Sequence, residues 1–109
     1  MAKRYINVVT KHPGEDFCDT RIENSLEALQ DFVGGYIETV TINNDFVIIC
    51  NEEGRLQDLD HCISFHGDLI RGDLSFYGPI IFAGISRDEF DDFFVTAADM
   101  NRIWKGATA

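Results

Sequence analysis

Between residues 51 and 68 the chain gathers side chains whose types could do chemistry: Asn51, Glu52, Glu53, Asp58, Asp60, His61, Cys62, His66 and Asp68. Carboxylate oxygens with an imidazole can hold a divalent cation, and in an extended segment Asp58 and Asp60 would share one face. The spacing matches no metal motif, because His61 and His66 are five apart and neither HExxH nor CxxC occurs. A polar turn with solvated strand edges is the plainer reading, so no metal and no cofactor is expected. Nucleophilic catalysis has less support. Cys62 and Ser64 lie near His61 and His66 in sequence, but neighbours in a strand point to opposite faces. No GxGxxG, phosphate-binding glycine loop with Lys, or GxSxG elbow is present. No catalytic residue is assigned, and a non-enzymatic protein is expected.

Charge says more. The 109 residues carry nine Lys or Arg against nineteen Asp or Glu, for a formal net charge of −10. Such a balance disfavours direct nucleic-acid binding, which needs cations to displace counterions from phosphates. It disfavours an anionic membrane surface for the same reason. Residues 52 to 92 hold ten carboxylates against Arg55, Arg71 and Arg87. A helix N-terminus accounts for two or three acids in the run Asp88-Glu89-Phe90-Asp91-Asp92-Phe93-Phe94. It does not account for the excess over the whole chain, whose self-repulsion costs stability unless solubility or a partner justifies it.

These residues must be carried by a scaffold, and the composition supplies one. Hydrophobic residues make up 45% of the chain, too many for a disordered segment, and the length fits a single domain, 1–109, with a core from about 5 to 104. Tyr5 to Thr10 predicts a strand with Ile6 and Val8 on one face, ended by Pro13-Gly14, then a polar loop through Thr20. A helix is predicted from about Asn24 to Val33, with Asn24 as cap, Glu27 as its capping-box partner, and an apolar stripe of Ile22, Leu26, Leu29 and Val33. Gly34 fits the left-handed position after it. Residues 36 to 42 and 46 to 50 predict a hairpin around Asn43-Asn44-Asp45, the second strand apolar on both faces and therefore central. One or two short strands are expected within 55 to 78, and a strand from Gly78 to Ile85. Ser86-Arg87-Asp88-Glu89 and Thr96-Ala97-Ala98-Asp99 both read as capping boxes of short helices, the second presenting Met100, Ile103 and Trp104 and ending at Gly106. The expected class is α+β: a mainly antiparallel sheet of four to five strands, one helix after the first strand, and short C-terminal helices.

The segments Leu26-Glu27-Ala28-Leu29-Gln30, Val33-Gly34-Gly35-Tyr36-Ile37-Glu38 and Asn51-Glu52-Glu53-Gly54-Arg55-Leu56 carry a resemblance. Over roughly residues 5 to 95 the chain resembles a family of small uncharacterised domains encoded largely on plasmids, conjugative elements and phages of Gram-positive bacteria. The family has no established activity, so the resemblance implies a setting: mobile elements and their hosts.

Three unpaired-looking cysteines, Cys18, Cys50 and Cys62, and a first strand too short and polar for a signal peptide point to a reduced, cytoplasmic location in a host bacterial cell. The leading expectation is an acidic binding protein that antagonises a bacterial defence system, of the anti-CRISPR or antirestriction type, by occupying a basic nucleic-acid-binding groove of a host defence protein. Glu52, Glu53, Asp58, Asp60, Asp88, Asp91 and Asp92 are the expected contacts, with Tyr77 as an aromatic anchor. The alternative is an oligomeric sponge for a nucleotide signal, in which backbone N–H groups of Gly34, Gly35 and Gly54 join Arg55 or Arg71 on the phosphates. It calls for a homodimer or larger assembly. A metal-dependent hydrolase built on residues 52 to 68 ranks third.

Overall fold

A computed structural model describes residues 4–42, 45–54, 56–65 and 74–103. In chain order the elements are β1 (Tyr5–Lys11), β2 (Cys18–Glu23), α1 (Leu26–Val33), β3 (Ile37–Ile42), β4 (Phe46–Asn51), β5 (His61–Phe65), β6 (Leu74–Tyr77), β7 (Ile80–Ser86), β8 (Glu89–Asp91) and α2 (Ala97–Ile103). Every strand pairing is antiparallel. The main sheet runs β2-β1-β7-β4-β3 with β8 beside β7, and β5 and β6 form a separate two-stranded sheet. The architecture is α+β with a mainly antiparallel sheet, as the patterning predicts. The main sheet, however, has six strands rather than four or five.

The apolar pattern of the central strands dictates the layering. In β7, Ile80 and Phe82 pack on one face and Ile81 and Ala83 on the other; in β4, Ile48 and Cys50 oppose Val47 and Ile49. Strands buried on both faces need a cover on each. On one side it is α1, whose Leu29 and Val33 close a cluster with Ile6, Val8, Val47, Ile49, Ile81 and Ala83. On the other it is β5 and β6 together with Phe17 and the Met100 face of α2. At eight residues α1 is too short to persist alone and depends on this packing.

Three expectations need correction. Residues 18 to 23 form β2, paired with β1 along its whole length from Tyr5↔Glu23 to Thr10↔Cys18, so α1 follows the second strand and not the first. As an edge strand with mostly exposed side chains, β2 shows little apolar alternation of its own. The cap of α1 is Ser25, whose hydroxyl accepts from the Ala28 N–H, rather than Asn24; Leu26 is 59% exposed and Ile22 packs from β2, so the stripe of the helix reduces to Leu29 and Val33. Gly34 holds the left-handed cap, φ 81°.

The third correction concerns residues 86 to 92, which open no helix. Ser86 pairs Glu89 across a two-residue turn, with Arg87 at φ 52° and Asp88 at φ 65°. Two consecutive positive φ values are what a type I′ hairpin requires. The ladder from Gly84 to Ser86 outweighs the local capping-box signal, because a helix there would leave those edge groups of β7 unpaired. The second signal does start a helix, as a single cap: Thr96 Oγ1 accepts from the Asp99 N–H at 3.2 Å, while the Asp99 carboxylate pairs with Arg102; α2 presents a buried Met100, and Ile103 is exposed. Trp104 and Gly106 lie outside the described residues. No helix among the described residues is long and apolar enough to cross a membrane.

Candidate functional site

The register of the β3–β4 hairpin, Ile37↔Asn51 through Ile42↔Phe46, joins the two motifs that stand out in the sequence. It sets Gly34-Gly35-Tyr36, leaving α1, against Asn51-Glu52-Glu53-Gly54, leaving β4. The Glu52 N–H donates to Tyr36 O at 2.8 Å, sealing the contact. A cleft of about 390 Å³ opens here, lined by Gln30, Asp31, Gly34, Gly35, Tyr36, Asn51, Glu53 and Gln57.

Asn51 is the strut of this site. It is 6% exposed, and its Nδ2 donates to Val33 O at 3.1 Å and to Gln57 Oε1 at 3.2 Å. Its Oδ1 accepts from the Glu53 N–H at 2.7 Å. One amide thus ties the last turn of α1 to the turn after β4. Gly35 is required beside it, because a Cβ there would lie 2.9 Å from Asn51 Nδ2. The loop then folds back through Gln57 N–H to Glu53 O and Leu59 N–H to Gly54 O, and Gly78 N–H to Asp60 O pins it to the end of β6. Asp58 sits at φ 55° inside this turn, so Asp58 and Asp60 are not on one face of an extended strand.

The sequence-predicted partner residues divide between opposite ends of the sheet. Glu52, Glu53, Asp58 and Asp60 are exposed on the β4–β5 loop, and Tyr77 is half-buried next to it. Because β7 runs antiparallel to β4, with Phe46↔Gly84 and Ile49↔Ile81, the turn at Asp88 lies at the other end. Asp91 and Asp92 go with Asp88 and have structural roles. Asp92 Oδ1 accepts from the Asn7 N–H at 2.8 Å, and Asp91 Oδ1 accepts from the Asp92 N–H at 2.7 Å. The acidic surface at the cleft end gains a member that the sequence reading missed: Asp31, in the last turn of α1. Counting back from the hairpin turn to the Ile37↔Asn51 pair would have found it.

The electrostatics at this end are one-sided. Helix C-termini carry a partial negative charge that a cation usually complements, a contribution of about 0.3–1 kcal/mol. The last turn of α1 has no basic residue and carries Asp31 instead. Among the described residues, Asp31, Glu52, Glu53, Asp58 and Asp60 have no ion-pair partner, whereas in α2 Arg102 pairs with Asp99. The backbone donors proposed for phosphates are engaged within the fold. Gly34 and Gly35 N–H both donate to Gln30 O, and Gly54 N–H donates to Asn51 O. Arg55 and Arg71 lie outside the described residues, as do His66 and Asp68.

Other reactive groups are accounted for by packing. A bulge between His61 and Ile63 places His61 and Ser64 on one face, where Nε2 and Oγ approach to 2.6 Å and Ser64 Oγ meets Ser75 Oγ at 2.8 Å. Simple alternation misses this pair. It sits in the open, where water competes for both partners. Burial pushes the Cys50 thiol up to about 11, with the Glu38 charge adding to it; burial also pushes Cys62 up to about 11, against a smaller downward pull from Lys11. Lys11 is 2% exposed, its Nζ donating to Cys62 O at 3.5 Å and His12 O at 3.4 Å. Among the described residues no His, Cys, Asp and Glu cluster is arranged to hold a metal ion. A second cleft, of about 410 Å³ between β1, β2 and residues 93 to 96, contains both Asp19 and Arg21 and has no single sign of charge.

Residues 6–107 match the family described as a domain of unknown function, DUF3846, and the chain belongs to that family. No curated protein and no solved structure matches it.

Proposed function

We propose that this chain is a non-enzymatic, acidic binding module that docks the cleft end of its sheet on a basic, nucleic-acid-binding surface of another protein. In the setting of a mobile element, the target is a host defence nuclease in the cytoplasm. One observation carries the reading: five exposed carboxylates without described ion-pair partners stand on a single end of the sheet, on the last turn of α1 and on the loop that Asn51 ties to it. A like-charged cluster held in place by buried hydrogen bonds repels itself, and an opposing cationic surface relieves that repulsion. Docking of this kind gains speed and orientation from charge, and residence time from a few desolvated anchors such as Tyr36 and Tyr77.

The test begins with capture of host proteins on the immobilised chain, identification of what is retained, and competition with duplex DNA. The expected partner binds nucleic acid and is displaced by it. Its affinity falls steeply with salt, since exposed charges are screened within about 10 Å at 0.1 M. A Glu52→Gln, Glu53→Gln, Asp58→Asn, Asp60→Asn variant loses the interaction. Retention that is indifferent to salt and to this variant would overturn the reading.

A further inference from the structure

Resting on that reading, we propose that the cleft at the C-terminal end of α1 is the seat of a single arginine side chain of the partner. Four features of the cleft converge on a planar cation. Asp31 and Glu53 stand on two elements that the Asn51 amide ties together, and both residues line one concavity of about 390 Å³. The negative end of α1 closes the cleft, and no basic side chain of the last turn complements it. The side-chain amide of Gln30 lines the cleft and brings a carbonyl oxygen to it, and Gln57 Oε1, which accepts from Asn51 Nδ2, retains a second lone pair. Tyr36, 70% exposed, offers a ring face on the rim.

Among the described residues the same geometry disfavours an anion. The N–H groups of Gly34, Gly35 and Glu53 that a phosphate would need already donate to Gln30 O and Asn51 Oδ1, and both charged walls are carboxylates. Arginine fits better than lysine. Its guanidinium presents five donors in a plane, satisfies two carboxylates and amide oxygens at once, and stacks on an aromatic face, whereas an ammonium acts as a compact, strongly hydrated point charge.

The experiment is an NMR titration of the whole ¹⁵N-labelled chain with N-acetyl-arginine methylamide, and with its lysine and citrulline counterparts. The expected result is saturable shifts at the amides of Gly34, Gly35 and Glu53 with the arginine probe. Binding of the lysine probe is weaker by several-fold, and the isosteric but uncharged citrulline probe gives none. Asp31→Asn with Glu53→Gln removes the response and leaves the remaining spectrum in place; Tyr36→Leu weakens it and narrows the preference over lysine. Absence of saturation with arginine, equal response to citrulline, or saturable shifts elsewhere on the chain would each overturn the seat. The two proposals fail separately. If the Asp31→Asn, Glu53→Gln variant binds the captured basic partner unchanged, the seat falls and the acidic docking surface stands. If the chain takes arginine saturably but captures no basic protein, the seat stands and the wider reading falls.

Discussion

Replacing Asn51 by Asp changes one group of atoms in the whole protein, and the hydrogen-bond pattern sets the cost. The Nδ2 that donates to Val33 O and Gln57 Oε1 becomes an oxygen facing two oxygens, while Oδ1 keeps its bond from the Glu53 N–H. Losing two donor bonds costs about 1 kcal/mol each, and leaving Val33 O buried without its donor adds about as much again. A charge buried against the negative end of α1 adds to this, so Asn51→Asp is expected to destabilise by about 3 kcal/mol or more at neutral pH. In urea, the midpoint should fall by roughly 1–2 M with an unchanged slope. The introduced carboxyl has its folded-state pKa raised above its unfolded value. The penalty is therefore full above the folded pKa and shrinks as pH falls through it, because a protonated oxygen can again donate to Val33 O. Urea titrations at pH 7 and in the acidic carboxylate range measure both effects. A loss below about 1 kcal/mol, or a gap between variant and parent that does not narrow on acidification, would refute the role of Asn51 as the strut.

Arg87→Asn combined with Asp88→Gly supplies the residues that positive φ favours at both turn positions, and thermal melts should show a gain of about 1 kcal/mol, or about 4–8 °C. Gly84→Ala would bring a Cβ to 2.3 Å from Asp92 O, where β8 passes β7, and is expected to cost about 2 kcal/mol or more in denaturant titrations. Cys50 and Cys62 have thiols raised from 9.0 to about 11, so the stability they contribute is fully present below pH 9 and is lost as pH rises toward 11. Unfolding followed across that range should show the decline, and Cys62→Ala should remove the Cys62 share of it and leave that of Cys50. At pH 8 a thiol reagent should modify the exposed Cys18 without delay and reach the two buried thiols only on unfolding.

The parts of the fold legible in the sequence are those where local pattern and tertiary demand agree. β4 and β7 are continuous apolar runs and occupy the doubly covered centre; the β3–β4 hairpin and the left-handed Gly34 follow from turn and cap chemistry. The failures occur where a neighbour decides. β2 is a strand because β1 pairs it, not because Cys18 to Glu23 alternate strongly. Ser86 to Glu89 mimics a helix start, but the sheet extends through it. The acidic run at 88 to 92 is contiguous with the 52 to 60 acids only in composition; antiparallel pairing of β7 with β4 sends the two groups to opposite ends. Asp31 carries no signal in its own segment; its place beside Glu53 follows only from the β3–β4 register, which folds a turn beginning twenty residues further along the chain onto the helix end.

Hydrogen–deuterium exchange on the complex with the captured partner tests the central claim most directly. The account predicts new protection at residues 34 to 36 and across the 51 to 60 loop, with the turn at Arg87-Asp88 exchanging as in the free chain. Protection confined to residues 86 to 94, with the cleft end unchanged, would contradict it.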